Sequence, residues 1–245
     1  MTKQLNSRER YLVKASAEYN EQFLNPSNAD HWAVRSGLEY LSNHGLPMHT
    51  QAQRDRLSKY MLGVVVDPLP GDHIFEGMLV FPYVTPARVK GLKFRRLGPD
   101  DDGRGKNLVH DGQETRLYNV QAWFDAGEVI GIAEGEADAI CATERLGIPT
   151  IGIPGSEVWK AKRDIWAALF KNFQEVYVFT DGDKVNPQTG LRPGEELGKQ
   201  VASSLGWRAR IIRCPEGEDV SSMVAAGRTQ ELEAQYRSDD DDDQE

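Results

Sequence analysis

Two short acidic segments stand out by residue type and spacing, Glu134-Gly135-Glu136-Ala137-Asp138 and Asp181-Gly182-Asp183. Each follows an apolar run, and each has a glycine where a chain would turn sharply beside a ligand. A third cluster, Glu216-Gly217-Glu218-Asp219, follows another apolar run. Carboxylates gathered on one edge repel, and without a counter-cation some must take up protons. A pair of Mg²⁺ or Mn²⁺ ions removes that conflict, because all-oxygen donors select hard cations. Two such ions about 4 Å apart can hold the attacking and leaving oxygens of a phosphoryl transfer. The alternative for any one of these acids is the N-cap of a following helix. Zinc is disfavoured, since His44 and His49 have no cysteine or carboxylate partner at a recognised ligand spacing.

The elements that must position these acids can be read around them. Short, mostly apolar segments at 129–133, 149–153, 175–180 and 208–212 predict strands. Helical spacing predicts helices over 137–146, 157–170 and 194–205, the second with Trp159, Ile165, Trp166, Leu169 and Phe170 as its apolar set. Short apolar strands alternating with helices imply a parallel sheet covered on both faces. In such a sheet ligands collect at the carboxyl ends of the strands, where the acids fall.

The preceding chain has a different period. Up to about residue 69 it reads as helical, with Ser27 or Asp30 capping a helix through Val34, Leu38 and Leu41, and Thr50 capping another. Residues 67–72 read as a turn-rich link. Residues 78–83 and 89–96 read as two strands joined by Thr85-Pro86-Ala87, with Lys93 and Arg95 on one side and Phe94 and Arg96 on the other. A Gly/Asp-rich loop, 98–105, follows. The predicted architecture is α/β, α+β overall, in three parts: a helical plus basic-strand subdomain (1–126), a parallel-sheet domain (127–230) and an acidic, disordered tail (231–245).

Composition bounds the partners. The 245 residues are 39% hydrophobic with a formal net charge of −9. No apolar stretch is long enough to span a membrane, and nothing at the start reads as a secretory signal. Six acids, Asp239–Asp243 and Glu245, crowd the last eight residues, a segment with no apolar residue to bury. Between Arg88 and Lys106 the sign reverses: Arg88, Lys90, Lys93, Arg95, Arg96, Arg104 and Lys106 face only Asp100, Asp101 and Asp102. A polyanion can therefore bind locally. Two cysteines, Cys141 and Cys214, rule out a disulfide framework or a cysteine-rich zinc ribbon and fit a reducing cytoplasm. Neither has a basic partner nearby in sequence, so packing is the expected role. Trp159 and Trp166, seven apart on one helix, are expected in the core.

The set Glu134-Gly135-x-x-Asp138, Gly155-Ser156 and Asp181-x-Asp183, on this strand order, resembles a Toprim domain. Upstream, residues 78–82, Lys93-Phe94-Arg95-Arg96, Lys106-Asn107 and Leu117-Tyr118-Asn119 resemble the basic subdomain that precedes Toprim in bacterial- and phage-type DNA primases. Leu38–Leu46 resembles their "YL…RGL" helix, and Cys214–Asp219 their "P-x-G-x-D-x-D" segment. The resemblance covers roughly residues 30–230 and implies a primase catalytic core acting in phage DNA replication. It implies Glu134, Asp181 and Asp183 as catalytic, with Asp138 and Asp219 as further metal ligands. Lys93, Arg95, Arg96, Lys106 and Asn119 would contact nucleotide or template, and Lys184 a triphosphate. The implied reaction joins ribonucleoside triphosphates into a short RNA primer on single-stranded DNA, by nucleotidyl transfer at two Mg²⁺ or Mn²⁺ ions. A replicative helicase and a zinc-module protein acting in trans are the implied partners, in the host cytoplasm.

Three departures from that pattern matter. Residues 184–193 are inserted between Asp183 and Gly194, where the family's glycine follows almost at once. Ser221 stands where a second aspartate is expected. The family's zinc module and helicase P-loop have no counterpart in these residues. Two other readings stay open: a Toprim nuclease, and a non-catalytic replication scaffold.

Overall fold

The computed structural model describes residues 5–98, 103, 105–188 and 190–237, with Ser156 described by its backbone only. Asp100–Asp102, Arg104 and the acidic run 238–245 lie outside the described residues. The chain divides into two compact units: Met1–Ser42 with Pro47–Thr115, and Asn43–Leu46 with Arg116–Glu245.

In the first unit, α1 (Ser7–Leu24) is opened by a capping box in which Asn6 accepts from Glu9 N and Glu9 reaches back to Asn6 N. Its buried stripe includes Leu12, Ala15, Tyr19 and Phe23, at helical spacing. α2 (Trp32–Asn43) begins after His31, whose ring takes the N–H of Ala33. Ser27 lies instead in a 3₁₀ turn, Pro26–Asn28, and neither it nor Asp30 caps α2. α3 (Gln51–Leu57) has the expected Thr50 cap, completed by Gln53. Four antiparallel strands follow in spatial order: β1 (Gly63–Val64), β2 (Leu79–Val84), β3 (Val89–Arg95) and β4 (Asn107–Val109). Pro82 is tolerated inside β2 because the two residues of β1 pair only with Val80 and Leu79, leaving Pro82 without a ladder partner on that side. Val80, Leu92 and Phe94 pack on Leu12, Ala15 and Tyr19 of α1. Lys93 and Arg95 alternate with these and lie on the other face.

Asp72, read from sequence as part of a turn, is buried and holds this unit together. It accepts hydrogen bonds from the hydroxyls of Tyr11 and Tyr19, and His110 Nε2 lies 3.0 Å from its Oδ1.

The second unit is built on a parallel sheet in the spatial order β6 (Thr150–Ile153), β5 (Val129–Glu134), β7 (Glu175–Thr180) and β8 (Ala209–Arg213). A short helix, α4 (Ala122–Asp125), precedes β5 (Val129–Glu134), α5 (Glu136–Arg145), β6 (Thr150–Ile153), α6 (Ser156–Leu169), β7 (Glu175–Thr180), α7 (Pro193–Leu205) and β8 (Ala209–Arg213). α8 (Val220–Ala225) and α9 (Thr229–Glu233) close it. Ile130, Ile132, Ile151, Ile153, Val176 and Val178 form one core cluster with Trp159 and Trp166 of α6, Phe170 just after it, and Leu197 and Val201 of α7. Burying each such side chain is worth about 1.5–3 kcal/mol. Ile165 and Leu169 fall outside this set, being 70% and 44% exposed. α5 packs on β5 and β6 and against α8.

Both edges of the sheet are covered. Tyr118 exchanges two backbone hydrogen bonds with Gly152 of β6, which draws residues 116–126 into this unit rather than the first. On the other edge the Gln235 amide bonds both the N–H and the carbonyl of Arg213. Leu232 is fully buried and Tyr236 stacks on Tyr177, so residues 231–237, which the sequence placed in the tail, are packed. Among the described residues no helix is long and apolar enough to cross a membrane.

Candidate active site at the carboxyl edge of the parallel sheet

From β5 the chain goes to β6 on one side, and from β7 to β8 on the other. The two exits diverge, so the carboxyl ends of β5 and β7 flank a topological switch point, the place at which such sheets bind ligands. Glu134 is the last residue of β5, and Asp181 follows the last residue of β7. The parallel register, with Ile132 beside Val178, brings these two ends level.

Glycines at these turns serve two different needs. Gly135 adopts φ +91, which only glycine takes without strain, and swings the chain from β5 into α5. Gly182 is needed for closeness: a Cβ there would lie 1.7 Å from Pro215 O. The 180–182 and 214–218 segments are laced by main-chain bonds from Cys214 N to Thr180 O, Gly182 N to Glu218 O and Gly217 N to Gly182 O, of 3.1, 2.8 and 2.6 Å.

Five acids come within electrostatic reach of one another. Burial pushes the Asp181 carboxyl up from an ordinary 3.8 to about 9, and the charges of Asp138, Glu134, Asp219 and Asp183 add to the rise. Asp138 is likewise raised, by burial first and then by Asp219, against the hydrogen bond from Ser221 N that pulls it back. The predicted metal residues are thus assembled from β5, α5, the β7–α7 segment and the start of α8. Among the described residues, no three His, Cys, Asp or Glu side chains are arranged as they stand to hold a metal ion. What fits a hard divalent cation is the donor set: oxygen only, with Asp181 and Asp138 both pushed toward the protonated form by burial and by neighbouring acids.

Several of these acids also have structural duties. Asp219 is the N-cap of α8, with Oδ1 accepting from Ser222 N at 2.7 Å. Asp183 Oδ2 accepts from Gly194 N at 2.8 Å. The N-cap alternative is therefore realised at Asp219 without removing it from the cluster. Ser221, at the position of the absent aspartate, ties two acids together: its N–H donates to Asp138 Oδ1 at 2.8 Å and its hydroxyl to Asp219 Oδ1 at 2.9 Å. A neutral donor there relieves repulsion that another carboxylate would add.

Of the predicted nucleic-acid contacts, Arg95 lies over the ring of Tyr40 at 5.3 Å. Arg96 Nε donates to Gly105 O, and Lys106 is exposed. Lys93 is half-buried on the same face of β3 as Arg95. Arg88 and Lys90 pair with Glu9. Asn119 is different: it is buried, and its amide donates to Thr150 O and Thr143 Oγ1 at 2.8 and 3.2 Å. With both amide hydrogens engaged on β6 and α5, and φ at +52, Asn119 has a structural role at this corner of the unit. Lys184 is exposed beside Glu216. Cys141 is buried and its Sγ donates to His44 O, and Cys214 is buried with its thiol pushed up, so packing is the role of both.

One residue at the site was not singled out from sequence. Arg192, at the end of the insertion, donates to Asp183 O at 2.7 Å and to Glu216 Oε2 at 2.6 Å. Its position before Pro193, which opens α7, was the available signal.

No protein-family model matches the chain. It is 40% identical over 158 residues to the Gene 57 protein of Mycobacterium phage D29, spanning 62% of this chain and 93% of that protein. Among solved structures it is similar to the DnaG catalytic core, with a TM-score of 0.66 and 18% identity over 93% of this chain and 78% of the other. It is also similar to a DnaG primase catalytic domain bound to single-stranded DNA, with a TM-score of 0.60 and 16% identity over 94% and 79%. The fold of the chain is that of the primase catalytic core.

Proposed function

We propose, for a chain that belongs to the family of the phage D29 Gene 57 protein and has the primase catalytic-core fold, that it is the catalytic core of a DNA primase. Its reaction is template-directed joining of ribonucleoside triphosphates into a short RNA primer. The observation that carries this reading is the convergence of Glu134, Asp138, Asp181, Asp183 and Asp219 at the switch point between β5 and β7.

Glu134, Asp181 and Asp183 would hold Mg²⁺ or Mn²⁺, with Asp138 and Asp219 completing the acidic surround. Bound cations of this kind offset carboxylate charge and polarise phosphoryl oxygens. The chain's own residues do the rest. Gly135 turns the chain from β5 into α5, and Gly182 lets the Asp181–Asp183 turn seat against Pro215. Ser221 fixes Asp138 and Asp219 in place. In the first unit Lys93, Arg95, Arg96 and Lys106 would hold single-stranded template through its phosphates. A zinc-module protein and a replicative helicase remain the partners this reading calls for.

The test is a priming assay on single-stranded DNA with labelled ribonucleoside triphosphates and Mg²⁺ or Mn²⁺. Asp181→Asn and Glu134→Gln should each abolish dinucleotide synthesis. Synthesis that survives both changes sinks the assignment. Metal-dependent cleavage of nucleic acid without triphosphates would move it to the nuclease reading.

A further inference from the structure

Residues 184–193 form the insertion that sets this chain apart from the primase pattern. The segment contains no acid, while its ends are Lys184 and Arg192-Pro193. It therefore carries two cations into a neighbourhood of Asp181, Asp183, Glu216 and Glu218. It is held in shape by bonds from Asn186 N to Leu191 O, Gly190 N to Asn186 O and Gln188 N to Asn186 Oδ1, of 2.8, 2.8 and 2.9 Å.

Arg192 is fastened at one point and loosely paired at another. Nη1 is anchored on the main-chain carbonyl of Asp183, so the guanidinium stays beside the proposed metal site. Nη2 meets Glu216, which is 57% exposed. The Glu216 carboxyl is held below its usual range by its hydrogen bond to Arg192, by the charge of that residue and by Lys184. An exposed pair of this kind contributes little to stability and is easily exchanged. A guanidinium has five N–H donors, two of them engaged here, and its planar fork suits phosphate oxygens. The N-terminus of α7 is not the anion seat, because Asp183 already takes the N–H of Gly194.

We propose that Arg192, with Lys184, is the seat for the polyphosphate of the incoming nucleoside triphosphate, and that Glu216 occupies this seat as an internal competitor until nucleotide arrives. This rests on the primase reading and gives the insertion its role there: it adds two cations to an acidic edge where Arg228 is already paired with Glu218. Triphosphate displaces Glu216 from Nη2 while Nη1 keeps its hold on Asp183 O. A nucleoside monophosphate, which lacks the β- and γ-phosphates, does not reach the seat.

The experiment measures equilibrium binding of a β,γ-imido ribonucleoside triphosphate and of the matching monophosphate, with Mg²⁺, to the full chain. Glu216→Gln should tighten the triphosphate about threefold, the scale of one exposed ion pair. Arg192→Ala should weaken it about tenfold, with Arg192→Lys between, and the double variant should match Arg192→Ala alone. Monophosphate binding should be unchanged throughout. Glu216→Gln that binds triphosphate no tighter than wild type, or Arg192→Ala that weakens both ligands equally, overturns the proposal. Glu216→Gln carries the test even where Arg192→Ala fails to fold. A wild-type chain that binds no triphosphate overturns this proposal and the primase reading together. Loss confined to the primase reading shows instead as synthesis surviving Asp181→Asn and Glu134→Gln.

Discussion

Asp181→Asn should make the metal-free protein more stable while destroying its activity. The Asp181 carboxyl is raised to about 9 by burial and by four neighbouring acids. An acid raised in the folded state costs nothing below its unfolded value near 3.8, where both states are protonated. As pH climbs past that value the unfolded chain releases its proton and the folded chain does not, so stability falls steadily until pH passes the folded value. At pH 7 an unshared shift of this kind costs about 4 kcal/mol, at about 1.4 kcal/mol per pKa unit. The repulsion is shared with Asp138, which is raised by the same neighbours, so relief from one substitution is about 2 kcal/mol. For a chain of this size that is a rise in Tm of about 4–8 °C. The assay is thermal melting in EDTA from pH 4 to pH 9, repeated with Mg²⁺. The variant's advantage should be absent at pH 4, open as pH rises, and shrink when Mg²⁺ binds and stabilises the wild type. A variant that melts at or below wild type in EDTA at pH 8, or by the same margin at every pH, refutes the reasoning.

Other expectations test the scaffold. Asp72→Ala leaves Tyr11, Tyr19 and His110 without their shared acceptor and should cost about 3 kcal/mol in urea unfolding, the scale for unpaired buried donors. Gly182→Ala drives a methyl into Pro215 O and should cost about 3 kcal/mol or prevent folding, whereas alanine at Gly98, where nothing lies within 4 Å, should be nearly neutral in the same unfolding assay. Removing residues 229–245 strips Leu232 and the Gln235 clasp and should cost about 3 kcal/mol in the same unfolding assay.

Strands β5, β6 and β7 were legible because they are buried on both faces and so appear as apolar runs, with glycine and acid at the ends of β5 and β7. Glu134 and Asp181 could be paired from sequence since strand-end position alone places them. Less visible were features fixed by contacts far along the chain. Asp72 reads as a turn residue until Tyr11, 61 positions away, is placed on it. Asn119 sits next to basic-subdomain residues in sequence but bonds Thr150, 31 positions on. Ile165 and Leu169 have the spacing of a buried stripe, yet the sheet beneath α6 is filled by Trp159, Trp166 and Phe170, and the two remain outside. Arg192 was hidden by the insertion itself, which reads as a polar loop until its last residue is seen to return to Asp183.

The lacing of the 180–182 and 214–218 segments has a mechanical consequence. With three main-chain bonds across them and no room for a methyl at Gly182, the two segments cannot slide past each other. Asp181 and Asp183 ride on one, and the other leads directly into the Asp219 cap of α8, so these three acids behave as parts mounted on a single rigid plate. Adjustment to a substrate must then come from parts fastened to the plate at few points, such as side chains and the inserted segment. The amides of Gly182, Cys214 and Gly217 should accordingly open together in hydrogen exchange, as one event.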